Sequence, residues 1–269
     1  MLCGITGSNG VLGNRLLKFS GIKFIKFKGD ITNKKEVAYW IRNHKFDIFI
    51  HLAAIVPVTE VNKNYKYSKK VNFYGTLNIL NALKKYQNDN LKWFFFPSTS
   101  HVYECKKKLK IKENYKLSPI SKYGKTKLLA ENFIKNNSRF LKAKICVGRI
   151  FSFTDKRQKI PFLVPSLKKK LLSNEKEIQL KNLNHYRDFI SILDLCRAII
   201  FLAKKNYNGT INLASGKMIY LKNIAKKLNK KKIKINFIDS ERETYLIADI
   251  SKLKNLGFKL KYQSFLKIF

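Results

Sequence analysis

The sequence predicts an α/β fold, a doubly wound parallel sheet with a smaller C-terminal α/β region. Three observations predict it. Short apolar runs alternate with stretches of helical period through the first 150 residues, the pattern of strands that alternate with covering helices. A glycine-rich turn separates the first such run from the first helix. Beyond residue 150 the alternation loosens, which places a domain change there, between 1–150 and 151–269, with about 188–212 contributing back to the first part.

The elements follow in order. Residues 1–6 are a short apolar run ending at Thr6-Gly7, and 11–19 have helical spacing. Residues 22–27 alternate like a strand, 33–43 read as a helix, and 46–52 (FDIFIHL) as a buried strand. A long helical period covers 71–86, an apolar strand 91–96, a helix 121–136 and a strand 143–147. Then come a helix at 165–172, short strands, a buried strand and helix across 189–203, and a final αβ stretch.

Composition narrows the function. The chain has 269 residues, of which 45% are hydrophobic and 13% aromatic, which excludes a disordered protein. No apolar run approaches the roughly 18 residues that span a bilayer, and a motif begins within the first seven residues, so the expected compartment is the cytoplasm. Cys3, Cys105, Cys146 and Cys196 form no CxxC pair, and no metal site is expected. The net charge of +39 suggests a nucleic-acid binder. Only eight of the 56 basic residues are Arg, however, and the lysines are spread along the whole chain. That distribution describes a solvated Lys-rich surface rather than a specific nucleic-acid site, and it would draw anionic substrates to a cleft.

Three motifs carry chemistry. In Gly7-Ser8-Asn9-Gly10-Val11-Leu12-Gly13, glycines three apart permit a tight turn and close approach of a pyrophosphate to backbone N–H groups at a helix start. Asp30, at the end of the following strand, is an acceptor for the adenosine ribose. Tyr123 and Lys127 stand four apart on one helix face, and an ammonium beside a phenol favours proton exchange with a sugar hydroxyl or ketone. The same spacing occurs at Tyr65/Lys69 and Tyr103/Lys107, but Tyr65 falls in a polar stretch and Tyr103 in a loop, whereas Tyr123 opens a clear helix. The hydroxyl cluster Ser98-Thr99-Ser100, with His101, sits at the carboxyl end of a strand, where ligands bind in such sheets.

Taken together, TGxxGxxG at 6–13, Gly29-Asp30-Ile31, HLAA at 51–54, VNxxGT at 71–76, STSxVY at 98–103, YGKTK at 123–127, RDFISxxDL at 187–195, NLASG at 212–216 and ADISKL at 248–253 form an ordered series. The chain resembles the extended short-chain dehydrogenases/reductases, the NAD-dependent epimerase/dehydratase group that acts on nucleotide sugars. The resemblance implies a Rossmann-type first domain. It implies that Thr99, Tyr123 and Lys127 are catalytic, with Tyr123 as acid/base and Lys127 on the nicotinamide ribose. It places the cofactor, NAD slightly ahead of NADP, on Gly7, Asn9, Gly10, Val11, Gly13, Asp30, Ile31, Leu52, Ala53, Ala54 and Asn72. It places a nucleotide-sugar substrate on Thr99, Ser100, His101, Arg187 and Arg242, the arginines gripping its diphosphate. His185 reads as a surface histidine, and a homodimer is expected from the family.

Departures from the family pattern refine the reading. The stretch between Gly13 and Asp30 is short, as if a second strand were missing or merged with the third, a compression also seen in dTDP-4-dehydrorhamnose reductases. Ser100-His101 stands where 4,6-dehydratases carry Asp-Glu, so sugar dehydration is disfavoured. His101 replaces the Cys, and Phe162 the catalytic His, of GDP-fucose synthases, so 3,5-epimerisation is not supported. Two enzymatic readings stay open, a 4-epimerase and a 4-ketoreductase. The alternative is a non-catalytic NAD(P)-sensing or polyanion-binding protein on the same scaffold.

Overall fold

A computed structural model describes residues 1–137, 139 and 141–262; the last seven residues of the region expected at 151–269 lie outside the described residues. In chain order the elements are β1 (Leu2–Thr6), α1 (Val11–Phe19), β2 (Lys23–Lys26), α2 (Lys34–Arg42), β3 (Ile48–His51), α3 (Val58–Lys63), α4 (Tyr65–Lys69), a π-helical turn (Lys70–Gly75), α5 (Thr76–Gln87), β4 (Trp93–Thr99), a 3₁₀ turn (Ser100–Val102), α6 (Lys122–Asn136) and β5 (Lys144–Ile150). After these come α7 (Leu163–Leu171), β6 (Glu177–Lys181), β7 (Tyr186–Arg187), α8 (Ile192–Lys204), β8 (Gly209–Leu213), β9 (Ile219–Tyr220), α9 (Leu221–Leu228), β10 (Lys234–Ile238), β11 (Tyr245–Leu246) and α10 (Ser251–Asn255).

The main sheet runs β2-β1-β3-β4-β5-β8, every pair parallel. Its strands are buried on both faces, which is why β4 reads as the unbroken run Trp93-Phe94-Phe95-Phe96, all four fully buried. Pro97 within this central strand is tolerated because β3 pairs only as far as Phe95, so no ladder bond to that side needs an N–H from Pro97. One face packs Cys3, Ile5 and Trp93 against α1 and α8 through Leu16, Leu195 and Ile199. The other packs Phe49, Phe94 and Phe96 against α2, α5 and α6 through Trp40, Leu83 and Ile134. The doubly wound expectation holds.

Local chemistry sets the helix ends. Asn33 caps α2 by accepting from the N–H groups of Lys35 and Glu36, Ser121 caps α6 through the N–H of Gly124, and Ser191 caps α8 through that of Leu193. Pro165 falls in the first turn of α7, where a missing N–H costs nothing. The expected helix at 71–86 differs: it is α5 preceded by the π-helical turn and α4. The extra residue of the π turn accommodates Asn72, whose side chain bonds outside the helix, and such turns recur at functional positions.

A smaller layer, parallel β6 and β10 with α7 and α9, closes its own core of Leu167, Leu171, Ile178, Leu180 and Ile224. A third sheet, β11-β7-β9, is tied to the segments that follow β4 and β5 by Tyr245 N donating to the Cys105 carbonyl and Ser152 N to that of Asp188. The chain then returns to the main sheet with α8 and β8. All four cysteines are buried and unbridged, and burial pushes the thiols of Cys3, Cys146 and Cys196 up. None of the described helices is long and apolar enough to cross a membrane.

Candidate active site

β2 and β3 lie on opposite sides of β1, so strand order reverses beside β1 and a crevice opens at its carboxyl end. The glycine turn fills that position. Gly7 has φ +67°, and a Cβ there would lie 2.5 Å from the backbone N of Ala53. At Gly13 a Cβ would come 2.4 Å from the carbonyl of Gly7, so the helix could not seat on the strand. Gly10, exposed, caps α1 without a side chain and leaves the first N–H groups of the helix open, with exposed Asn9 and half-buried Val11 beside it.

A buried relay holds the facing strand end. Thr76 Oγ1 donates to the carbonyl of Asn72, so it accepts from His51 Nε2 at 3.0 Å. His51 Nδ1 then accepts from Thr6 Oγ1 at 2.7 Å, and Thr6 Oγ1 accepts from the Ala53 N–H. Burial, helped by the charge of Lys127, depresses His51 to about 3, so the ring stays neutral as this relay needs. Leu52 N donates to the Thr6 carbonyl, which aligns 52–54 along the crevice. Asn72 grips both backbone groups of Ile55 and donates to Thr126 Oγ1, tying the β3 loop and Ala54 to α6.

The adenosine-side residues divide. Ile31 is buried against Gly75, where it positions the π turn. Asp30 is exposed, and its two oxygens accept from the N–H and the hydroxyl of Thr32, each at 2.8 Å. These bonds, opposed by slight desolvation, and Lys70 nearby hold its carboxyl below the usual range.

At the carboxyl end of β4, Thr99, Ser100 and His101 meet the start of α6. A Cβ on Gly124 would lie 2.2 Å from the carbonyl of His101, so only glycine lets the helix close onto the 3₁₀ turn. That closeness sets the Tyr123 ring 5.9 Å from the His101 ring, edge-on. Tyr123 and Lys127 are 7% and 3% exposed. Burial pushes the Tyr123 phenol up to about 12, while its hydrogen bond with Thr99 pulls the other way. Burial drives Lys127 down to about 7, opposed by Glu131 one turn along α6. The Lys127 Nζ sits 4.1 Å from the centre of the Phe96 ring. The charge of Lys127 is thus desolvated and poised near neutrality.

Arg187, on β7, donates from Nη1 to the carbonyls of Tyr186 and Thr244, and burial lowers it to about 10. Its charge and burial together depress His101 to about 4, burial being the larger cause, so Arg187 faces the end of β4. Arg242 is exposed, and its charge helps to hold the Glu104 carboxyl below the usual range. His185 is half-buried rather than on the surface: its Nδ1 is sealed without a partner among the described residues, and Nε2 lies 3.4 Å from Ser240 Oγ.

Sequence reasoning excluded the rival Tyr/Lys pairs on partly wrong grounds. Tyr65 does open a helix, α4, since capping by Asn64 makes its polar stretch helical. What sets Tyr65 apart is its half-exposed ring, with the Lys122 ammonium 5.7 Å from its centre. The phenol of Tyr103 accepts from Arg149 and donates to Asn212 Oδ1. Sequence reasoning missed the buried ion pair of Glu131 and Arg149, to which Ser98 also donates. Its one sequence signal was the spacing of Lys127 and Glu131, four apart on the same helix.

The GDP-mannose 4,6 dehydratase family profile matches residues 18–264. GDP-6-deoxy-D-talose 4-dehydrogenase of Aggregatibacter actinomycetemcomitans is 30% identical over 97% of this chain and 92% of its own. The chain belongs to the extended short-chain dehydrogenase/reductase family. Membership makes it an NAD(P)-dependent enzyme of the nucleotide-sugar class, as the motif series implied. UDP-glucose 4-epimerase of Lactobacillus helveticus, a further relative, is 28% identical over 70% of this chain and 62% of its own. The fold of the family is equally clear in RMD from Pseudomonas aeruginosa complexed with NADPH, with TM-score 0.86, 21% identity, and coverage of 99% of this chain and 95% of the other. UDP-glucose 4-epimerase of Thermotoga maritima also superposes with TM-score 0.86, at 22% identity, covering all of this chain and 97% of the other.

Proposed function

We propose that the enzyme exchanges hydride and proton at C4 of a nucleotide-linked hexose, working as a 4-ketoreductase. The observation that carries this is the buried trio of Thr99, Tyr123 and Lys127 at the carboxyl end of β4. The dinucleotide fits the crevice beside it because Gly7 and Gly13 let the turn and α1 close onto the β3 loop and the end of β1, which leaves the open N–H groups at the start of α1 at the crevice. Bound there, the nicotinamide supplies or accepts the hydride.

The protein's own groups do the rest. Thr99 holds the sugar O4 beside the phenol. Tyr123, held protonated, is a donor ready to protonate O4 as a ketone is reduced. Lys127 binds the nicotinamide ribose, and its charge lowers the Tyr123 proton affinity for the reverse step. Arg187 meets the substrate diphosphate, with Ser100 and His101 lining the sugar pocket. No carboxylate stands among residues 99–103, which speaks against the 4,6-dehydration named in the matching family profile. The near full-length match to a 4-dehydrogenase supports a single redox step. A 4-epimerase is the second reading, supported by the relative from Lactobacillus helveticus.

The test is cofactor-dependent reduction of nucleotide-linked 4-keto-6-deoxyhexoses by the purified enzyme and by Tyr123→Phe. Turnover lost with dinucleotide binding retained supports the reading. Interconversion of 4-epimers with no net cofactor consumption would move it to the epimerase. Failure of any nicotinamide dinucleotide to bind, with nucleic-acid binding that survives high salt, would favour the polyanion binder. A homodimer through the outer faces of α5 and α6 completes the proposal, supported by an apolar cleft of about 310 Å³ lined by Leu77, Leu80, Phe133 and Leu141. Light scattering on the purified protein reads its mass. The four buried free thiols suit a reducing cytoplasm.

A further inference from the structure

We infer that the cofactor is the 2′-phosphorylated dinucleotide, NADPH, selected by Lys26 and Lys28 at the carboxyl end of β2. The inference rests on the proposed redox function and concerns only which dinucleotide serves it.

The strand beside the glycine turn decides the matter. In a doubly wound sheet the adenosine ribose lies over the end of that strand, where an acid accepts the 2′-hydroxyl or a basic group takes a 2′-phosphate. Here that strand is β2, paired directly with β1 in the register Ile5 to Lys26. Phe27 N donates to the Ile5 carbonyl at 2.9 Å and carries the pairing one residue further, so Lys28 comes level with the glycine turn. Side chains alternate along the strand. Ile25 and Phe27 pack with the α2 side of the sheet and Phe24 with the α1 side. Lys26 and Lys28 therefore share the α1 side with the glycine turn.

No acid lies on the strand itself. Residues 1–29 contain no Asp or Glu. Asp30, the first acid, already accepts from Thr32 with both oxygens. Glu36, the next, accepts from Asp30 N and Asn33 Nδ2. Both carboxylates serve the turn that leads into α2. Lys26 and Lys28 are exposed and make no ion pair among the described residues, and Lys70 adds a third positive charge beside Asp30. An ammonium pair with no carboxylate partner suits a phosphate monoester and gives a ribose 2′-hydroxyl no anionic acceptor.

The experiment measures dissociation constants of NADPH and NADH by calorimetry on the full-length enzyme, on K26Q/K28Q, and on K107Q/K108Q, which removes two exposed lysines from a distant loop. The expected result is NADPH about tenfold tighter or more, with the ratio collapsing toward unity in K26Q/K28Q and surviving in K107Q/K108Q. Adenosine 2′,5′-bisphosphate should displace NADPH better than 5′-AMP does, and raised salt should shrink the gap. Equal affinities, tighter NADH, or a ratio indifferent to K26Q/K28Q would overturn the selectivity and leave the redox function standing. Binding of neither dinucleotide would overturn both.

Discussion

The glycine turn after β1 and the Tyr123 helix after β4 stand at strand ends of the same sheet, yet they are built on opposite principles. At the turn the groups on offer to a ligand are backbone N–H donors, and the side chains matter by being absent: a Cβ at Gly7 or Gly13 would strike backbone within 2.5 Å. At α6 the groups on offer are ionisable side chains, 7% and 3% exposed, whose proton affinities are set by what surrounds them. A backbone site therefore announces itself by glycine spacing. A desolvated site announces residue types but not their charge states.

That contrast can be broken or sharpened by experiment, from the largest effect down. Tyr123→Phe should cut turnover on the order of a hundred- to ten-thousand-fold with dinucleotide affinity and denaturant midpoint nearly unchanged; steady-state kinetics beside calorimetry would show it, and a matching loss of cofactor binding would erase the division of labour. Glu131→Ala should destabilise the fold by about 3–5 kcal/mol, because it strands the buried Arg149 guanidinium. Urea unfolding reads this, and a neutral outcome would mean that the charges beneath the Tyr123 helix are not desolvated. Gly13→Ala should weaken dinucleotide binding and cost on the order of 1–3 kcal/mol through the clash with the Gly7 carbonyl.

The pH response comes next. Lys127 has a folded value near 7 against an ordinary 10.5, so between these the unfolded chain binds more protons than the native one. The cost of burying its charge is greatest below pH 7 and fades as pH rises toward 10.5. Lys127→Met should therefore be more stable than the parent at pH 7, with the gap closing by pH 10, as thermal melts across that range would report. The smallest effect belongs to exposed Arg242: Arg242→Ala should change stability by less than about 0.5 kcal/mol and should raise the substrate KM far less than Arg187→Ala does.

Much of this was legible before the structure. Alternating apolar runs and helical periods gave the sheet and its covering helices, and Gly7, Gly13 and Tyr123 lie where their motifs placed them. What escaped depends on tertiary context. The break before α5 follows from hydrogen bonds of Asn72 to Ile55 and Thr126, neither adjacent in sequence. The Glu131–Arg149 pair unites a helix and a strand that no spacing rule connects. Asp30 stands at the strand end where its motif put it, whereas its bonds to Thr32 belong to a turn that no spacing announces. His185 looked exposed because a polar neighbourhood in sequence conceals packing in space.

Asp188 carries a consequence for motion. Its carboxylate takes the N–H and hydroxyl of Ser215 and the N–H groups of Gly216 and Ala248, all from segments distant in the chain. It stands between Arg187 on β7 and the start of α8, which is bedded on the main sheet. The arginine that would grip the substrate is thereby riveted to the platform that would hold the cofactor, with four residues and no slack between them. Were the smaller layer to close over a sugar, it would have to move about this fixed point, and Arg187 would keep its place.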